Sequence, residues 1–127
     1  MACKGLKRLC HPAPEFSEEL LRDLLIYYFE MKKTYSVYIL SNNLNTVYYT
    51  GVTGDLYRRV YEHKHRLMSG FTKKYFIHKL LYFEDYYDVK KAIAREKTIK
   101  RWKREWKNNV IKEDNPNFED LAVDWYE

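Results

Sequence analysis

Residues 34–41 read TYSVYILS, residues 42–45 read NNLN and residues 46–53 read TVYYTGVT. Tyr, Val, Ile and Thr recur there with a period of two on either side of a polar, Asn-rich stretch, the signature of a β-hairpin. A four-residue loop at 42–45 sets the register so that Tyr38 lies opposite Tyr49, and both phenols then share one face of the sheet. Thirteen tyrosines stand in this chain, so a tyrosine pair alone implies little.

Working outward, Gly54 and Asp55 supply a turn and a helix N-cap. Residues 56–67 (LYRRVYEHKHRL) follow as a helix. Its apolar stripe is Leu56, Val60, His63 and Leu67, and Arg59 and His63, four apart, stack on one side. Gly70 breaks that pattern, and the apolar run Lys79–Glu84 suits a third strand. Residues 88–112 form one long helical pattern with Ala92, Ile99, Trp102, Trp106 and Val110 as its buried stripe. Glu96 falls on the margin of that stripe. Pro116 ends the region, and Phe118–Trp125 is a short terminal helix or turn. Upstream, Ser17 caps a helix to Glu30 whose broad apolar face (Leu20, Leu21, Leu24, Leu25, Tyr28, Phe29) packs on the domain or on another subunit. The expected fold is α+β: a small three-stranded, mostly antiparallel sheet flanked by helices, with an extra N-terminal helix. Residues 1–33 are read as a tail and amphipathic helix, and 34–127 as the functional domain.

Composition limits the function classes. At 127 residues the chain suits one core, and 46% apolar with 32% charged residues describes a folded protein rather than a disordered tail. The net charge of +5 is segregated: residues 90–107 hold nine basic and two acidic residues, whereas 113–127 hold six acidic and none basic. A basic helical block is usually a solvated face, but this segregation points toward a polyanion. Trp102 and Trp106 in that block could stack on bases, yet their helical spacing favours the core. Cys3 and Cys10 are expected to be reduced thiols; together with His11 they lack a fourth ligand for zinc. The longest apolar run, Leu24–Phe29, is far below the roughly 20 residues of a membrane span, so a cytoplasmic location is expected.

Taken together in order, these segments resemble the GIY-YIG nuclease superfamily. The paired motif is matched by Ser36-Val37-Tyr38 and Tyr49-Thr50-Gly51. The resemblance continues through Val52-Thr53, Asp55-Leu56, Arg58-Arg59 and Tyr61-Glu62-His63-Lys64. It extends through Phe71-Thr72-Lys73-Lys74-Tyr75, Ala94-Arg95-Glu96-Lys97-Thr98-Ile99-Lys100, Trp102-Lys103 and Asn115-Pro116, covering about residues 34–121. It is closest to the small, stand-alone bacterial members related to the nuclease domain of the excision-repair incision subunit. Two positions depart from the pattern: Ser36 replaces a glycine and Thr50 an isoleucine.

The resemblance implies metal-dependent hydrolysis of phosphodiester bonds in DNA, branched or flapped DNA included, in repair or recombination. Tyr38, Tyr49, Arg59, His63 and Glu96 stand at its catalytic positions, beside Gly51. Glu96 is the implied ligand of Mg²⁺ or Mn²⁺, and Arg59 contacts phosphate oxygens. Tyr49 is the implied base or water-orienting group, His63 its proton acceptor or the base itself, and Tyr38 a positioning group. Lys64, Lys73, Lys74, Lys100 and Lys103, with Arg66, are expected to bind nucleic acid. Asn115, counted with the nucleic-acid-binding residues, is the match to a late asparagine that supports the site residues or holds the backbone, and Asn108 and Asn117 are its rivals. The alternative is a nucleic-acid-binding module of the same fold with little cleavage. A protein-interaction domain is the third class.

Overall fold

The computed structural model describes residues 17–31, 33–68 and 70–126. Cys3, Cys10 and His11 lie outside them. The chain divides into two units, Met1–Lys33 and Thr34–Glu127. In the first, helix α1 spans Glu18–Met31, and Ser17 Oγ accepts the Leu20 amide at 3.1 Å as the expected cap. Leu20, Leu21, Leu24 and Leu25 on its apolar face are exposed.

The second unit runs β1 (Tyr35–Ser41), β2 (Tyr48–Thr53), α2 (Leu56–Lys64), α3 (Phe71–Lys74), β3 (Lys79–Tyr86), α4 (Val89–Arg101) and α5 (Arg104–Asp114). The sheet has the order β2-β1-β3 with both pairings antiparallel, giving the expected α+β class. Strand β1 is central and buried on both faces. Val37 and Ile39 pack with Leu81, Ala92, Ile99 and Ile111 on one side. Tyr38 and Leu40 pack with Val60, Ile77, Leu80 and Ala122 on the other.

The hairpin register differs from expectation by two residues. Tyr38 pairs with Gly51, and Tyr49 pairs with Leu40. The loop is six residues because the Asn42 side chain captures the amides of Thr46 and Val47, at 2.9 and 3.2 Å. Ser41 Oγ also donates to Asn45 Oδ1 at 3.0 Å. Amides that serve an asparagine oxygen are not available to the strand ladder. A shift of two keeps every side chain on its face, so both tyrosines still share one side.

Helix α2 ends at Lys64, and Leu67 is exposed rather than part of the stripe. Its C-terminus is a Schellman turn: the Leu67 amide reaches Glu62 O at 2.8 Å and the Arg66 amide His63 O at 3.1 Å. Helix α3 closes in the same way through Ile77 to Thr72 O (2.9 Å) and Phe76 to Lys73 O (3.4 Å). The left-handed position of each turn, where glycine is usual, is filled by Arg66 (φ 57°) and Phe76 (φ 56°).

The single helix expected over 88–112 is two. Trp102 and Lys103 are extended, with ψ of 149° and 157°, and interrupt the ladder. The break re-phases the buried stripe: Ala92 and Ile99 are fully buried before it and Ile111 after it, while Trp106 is 50% exposed. Trp106 is therefore not a core residue. Phe118–Trp125 forms turns rather than a helix. Asp120 pins this segment: its Oδ1 accepts the amides of Leu80 (3.1 Å) and Ala122 (3.0 Å), and Oδ2 pairs with Lys64.

Candidate active site

Gly51 explains how the tyrosines reach their places. A Cβ there would lie 2.5 Å from Tyr38 Oη and 2.6 Å from its Cζ. The phenol of Tyr38 thus lies across its cross-strand partner, and only glycine leaves room. Tyr49, two residues back on β2, flanks it with ring centroids 6.4 Å apart. From α2, held by its Asp55 cap, His63 completes a triangle, 6.4 Å from Tyr38 and 5.7 Å from Tyr49.

The cluster is polar, buried and short of partners. Neither ring nitrogen of His63 has a hydrogen bond, nor does Arg59 Nε. Arg59 Nε sits 3.8 Å from Glu62 Oε1, a weak ion pair, and Nη1 approaches Met68 Sδ at 3.8 Å. Burial, with the Arg59 cation adding to it against Glu62, pushes His63 down to about 4. The ring is neutral at pH 7. Burial pushes the Tyr38 phenol well above its ordinary value; Tyr49, Glu96 and Glu62 add to this and Arg59 opposes it. Tyr38 keeps its proton at any physiological pH.

Glu96 projects from α4 and is buried, 8% exposed. Its Oε2 pairs with Lys100 Nζ at 2.5 Å, one helical turn on. That bond, with Glu96's charge and against some desolvation, raises Lys100. Glu96 is among the charges that raise the Tyr38 phenol, which puts its carboxylate within electrostatic reach of that tyrosine. Among the described residues no group of three or more His, Cys, Asp or Glu could hold a metal.

The residues expected to bind nucleic acid separate into two sets. Lys73, Lys74 and Lys103 are exposed, and the Lys100 side chain is 54% exposed while paired with Glu96. Lys64 pairs with Asp120 and braces α2 against the C-terminal turns. Asn115 is engaged with backbone groups. It is buried, donates to Leu81 O (3.1 Å) and Glu119 O (2.8 Å), and accepts the Glu119 amide (3.0 Å). It clips α5 to β3, with both amide N–H groups used. Asn108 is equally engaged, accepting Tyr48 Oη at 2.7 Å. Ser36, at the first departure from the motif, donates to Asp85 Oδ1 at 2.6 Å and ties β1 to β3. Thr50, at the second, leaves a buried hydroxyl unpartnered.

A three-stranded antiparallel sheet with tyrosines on one face, an arginine and histidine from the next helix and a buried glutamate from a later one defines a nuclease-type domain. The chain belongs to the GIY-YIG family: residues 34–109 match the model described as the GIY-YIG catalytic domain. Domains of this kind are generally endonucleases, which implies a nucleic acid as substrate. No curated protein and no solved structure matches the chain. No helix among the described residues is long and apolar enough to cross a membrane.

Proposed function

We propose that this protein is a metal-dependent endonuclease that hydrolyses phosphodiester bonds in DNA, with Tyr38, Tyr49, Arg59, His63 and Glu96 as its working residues. The observation that carries the reading is the set of unsatisfied polar groups on one sheet face. Buried polar groups are normally hydrogen-bonded, and an unsatisfied one calls for an explanation such as a catalytic role or a bound ion or water. A phosphate supplies what Arg59 and His63 lack: acceptor oxygens for the guanidinium fork and negative charge beside the imidazole.

The donor set also bears on the choice of ion. One buried carboxylate without further His, Cys or acid ligands does not make a zinc site. It suits Mg²⁺ or Mn²⁺, which are held by one or two carboxylates plus water and substrate phosphate. Such an ion, when bound, supplies neutralisation of charge on the phosphate. Lys100, half exposed, yields its place on Glu96.

His63, neutral in the free protein, becomes a better base as substrate arrives, because the phosphate offsets the Arg59 charge that depresses it. It then takes the proton from Tyr49 or from the attacking water. Tyr38, always protonated, donates a hydrogen bond and orients water or phosphate. Exposed Lys73, Lys74, Lys100 and Lys103 contribute affinity that is independent of sequence. A setting in DNA repair or recombination rests on the motifs' resemblance to the excision-repair nuclease domain.

The Glu96–Lys100 pair favours a second reading, in which the carboxylate is structural and the domain binds nucleic acid without cutting it. A nicking assay separates the two. Purified protein with Mg²⁺ or Mn²⁺ is expected to nick at least one of a duplex, flap, branched and single-stranded DNA, and EDTA to stop it. Salt-sensitive binding without nicking of any substrate would establish the binding module instead.

A further inference from the structure

At the hairpin end of the sheet lies a cavity of about 200 Å³ lined by Asn43, Lys64, Arg66, Phe76 and His78. These residues come from the hairpin loop, the ends of α2 and α3, and the approach to β3. Arg66 and Phe76 are the two left-handed residues that close α2 and α3. Glycine at either position would close its helix with less strain. Two separate helix ends therefore carry bulky side chains in a disfavoured conformation, and those side chains meet: the Arg66 guanidinium lies 4.1 Å from the Phe76 ring centroid. Strain of this kind persists at ligand sites, and here it builds an exposed cation–aromatic platform.

The remaining lining is polar but not uniformly charged. Lys64 is held by Asp120. His78 Nδ1 is buried without a partner, and burial with Lys64 beside it lowers the ring's basicity, so the imidazole is neutral. Asn43 is exposed. An apolar cavity of about 150 Å³ holds benzene, so this one has room for a single six-membered ring. Aromatic faces and guanidinium planes are the surfaces on which unpaired bases stack.

We propose that this cavity receives one unpaired pyrimidine base of the nucleic-acid substrate, stacked on the Arg66–Phe76 platform with its polar edge toward Asn43 and His78. The inference rests on the nuclease reading and specifies the form of its substrate. The His78 amide donates to Ser41 O at 3.0 Å. Ser41 is three residues along β1 from Tyr38, about 10 Å, or about three base steps of DNA. The bound base lies a few nucleotides from the tyrosine cluster. DNA that already contains an unpaired nucleotide is favoured, because no base pair has to open.

The test is binding in EDTA, read by fluorescence anisotropy. Three DNAs are compared: a paired duplex, the same duplex with one extra unpaired thymine, and the same with an abasic residue in place of that thymine. Wild type is expected to prefer the thymine bulge about tenfold over both others, within the range of one base–aromatic stack. Phe76→Gly, whose backbone suits glycine, is expected to keep or raise Tm, keep duplex affinity and lose the preference. Arg66→Gly is expected to lose it too, with a uniform loss of affinity from the missing charge. A preference that survives Phe76→Gly overturns the proposal, as does an abasic DNA bound as tightly as the thymine bulge. In both cases salt-sensitive duplex binding and metal-dependent nicking remain, and the nuclease reading stands. Failure to bind any of the three DNAs overturns both.

Discussion

Two clusters in this domain are built from nearly the same side chains and behave in opposite ways. Tyr82, Tyr86, Glu84 and Arg95 form a closed set. Both phenols donate to Glu84, and Arg95 adds Nε to Oε1 at 2.7 Å and Nη2 to Oε2 at 3.5 Å. Arg95 also lies 5.0 Å from the Trp102 ring centroid, joining β3 to the end of α4. Burial pushes Glu84 up, but the hydrogen bonds of Tyr82, Tyr86 and Arg95 outweigh it and hold the carboxyl below its ordinary value. Tyr38, Tyr49, Arg59, His63 and Glu96 are the open set, with His63 and Arg59 left unsatisfied. Residue types therefore do not make a site. What distinguishes the second cluster is hydrogen-bonding capacity that the fold does not use.

The sharpest break of that comparison is the same substitution in both clusters. Glu96→Gln removes the charge required for a divalent ion, and cleavage should fall by roughly 10²–10³-fold, as when a group stabilising transition-state charge is lost. Its Tm should hold, since the ion pair lost is with a half-exposed lysine. Glu84→Gln should do the reverse: a loss of about 2 kcal/mol and several degrees of Tm, with activity per folded molecule intact. Activity assays and thermal melts on both variants decide it; a folded Glu96→Gln protein that cleaves like wild type sinks the assignment of Glu96.

Gly51→Ala sharpens the comparison on the open side alone. The new methyl group displaces the Tyr38 phenol, its nearest neighbour. The expected result is about 1–3 kcal/mol of destabilisation. Cleavage should fall by about tenfold or more, since small misplacements of positioning groups are costly to rate.

Acid distinguishes the clusters by window, not by sign: the depressed Glu84 carboxyl also loses stability on acidification, but only below its ordinary value of 4.5. His63 has its folded pKa depressed from 6.5 to about 4. The unfolded chain thus binds the proton more readily, and stability present above about pH 6.5 is lost as pH falls toward 4. Integrated over that window the loss is about 3 kcal/mol. Melts of wild type and His63→Gln at pH 7 and pH 4.5 should show a steeper fall for wild type. Equal falls would mean that His63 is solvated or partnered in solution.

Legibility in the sequence followed the range of the interactions. The hairpin, the third strand and α2 announce themselves through period-two runs, the Asn-rich turn and the Asp55 cap. All of these are local. The register slip came from one side chain, Asn42, taking two amides that residue type alone does not commit. The ends of α2 and α3 carry Arg66 and Phe76 where a glycine would have marked the stop. The partners of Lys64 and Asn115, namely Asp120, Leu81 O and Glu119, become visible only when the chain is folded, because they lie far away in sequence or on the backbone. The tyrosine cluster was legible as a set of spaced residues; its unsatisfied state was not, because an empty hydrogen bond has no sequence signature.

The smallest expected effect comes from the residue that the helical period misplaced. One uninterrupted helix from 88 to 112 puts Trp106 on the same stripe as Ala92 and Ile99, and Trp106→Ala would then cost roughly 3–5 kcal/mol. No Gly or Pro marks the break at Trp102 and Lys103, yet both residues are extended and the phase is lost there. Ile111 takes the core position instead, fully buried, and Trp106 keeps an edge-on contact with Trp102 at 6.4 Å between centroids. Losing that contact and half-buried area should cost no more than about 1 kcal/mol. Ile111→Ala should cost about 2–5 kcal/mol. Denaturant melts of the two variants rank them directly, and a Trp106→Ala protein less stable than Ile111→Ala would restore the single continuous helix.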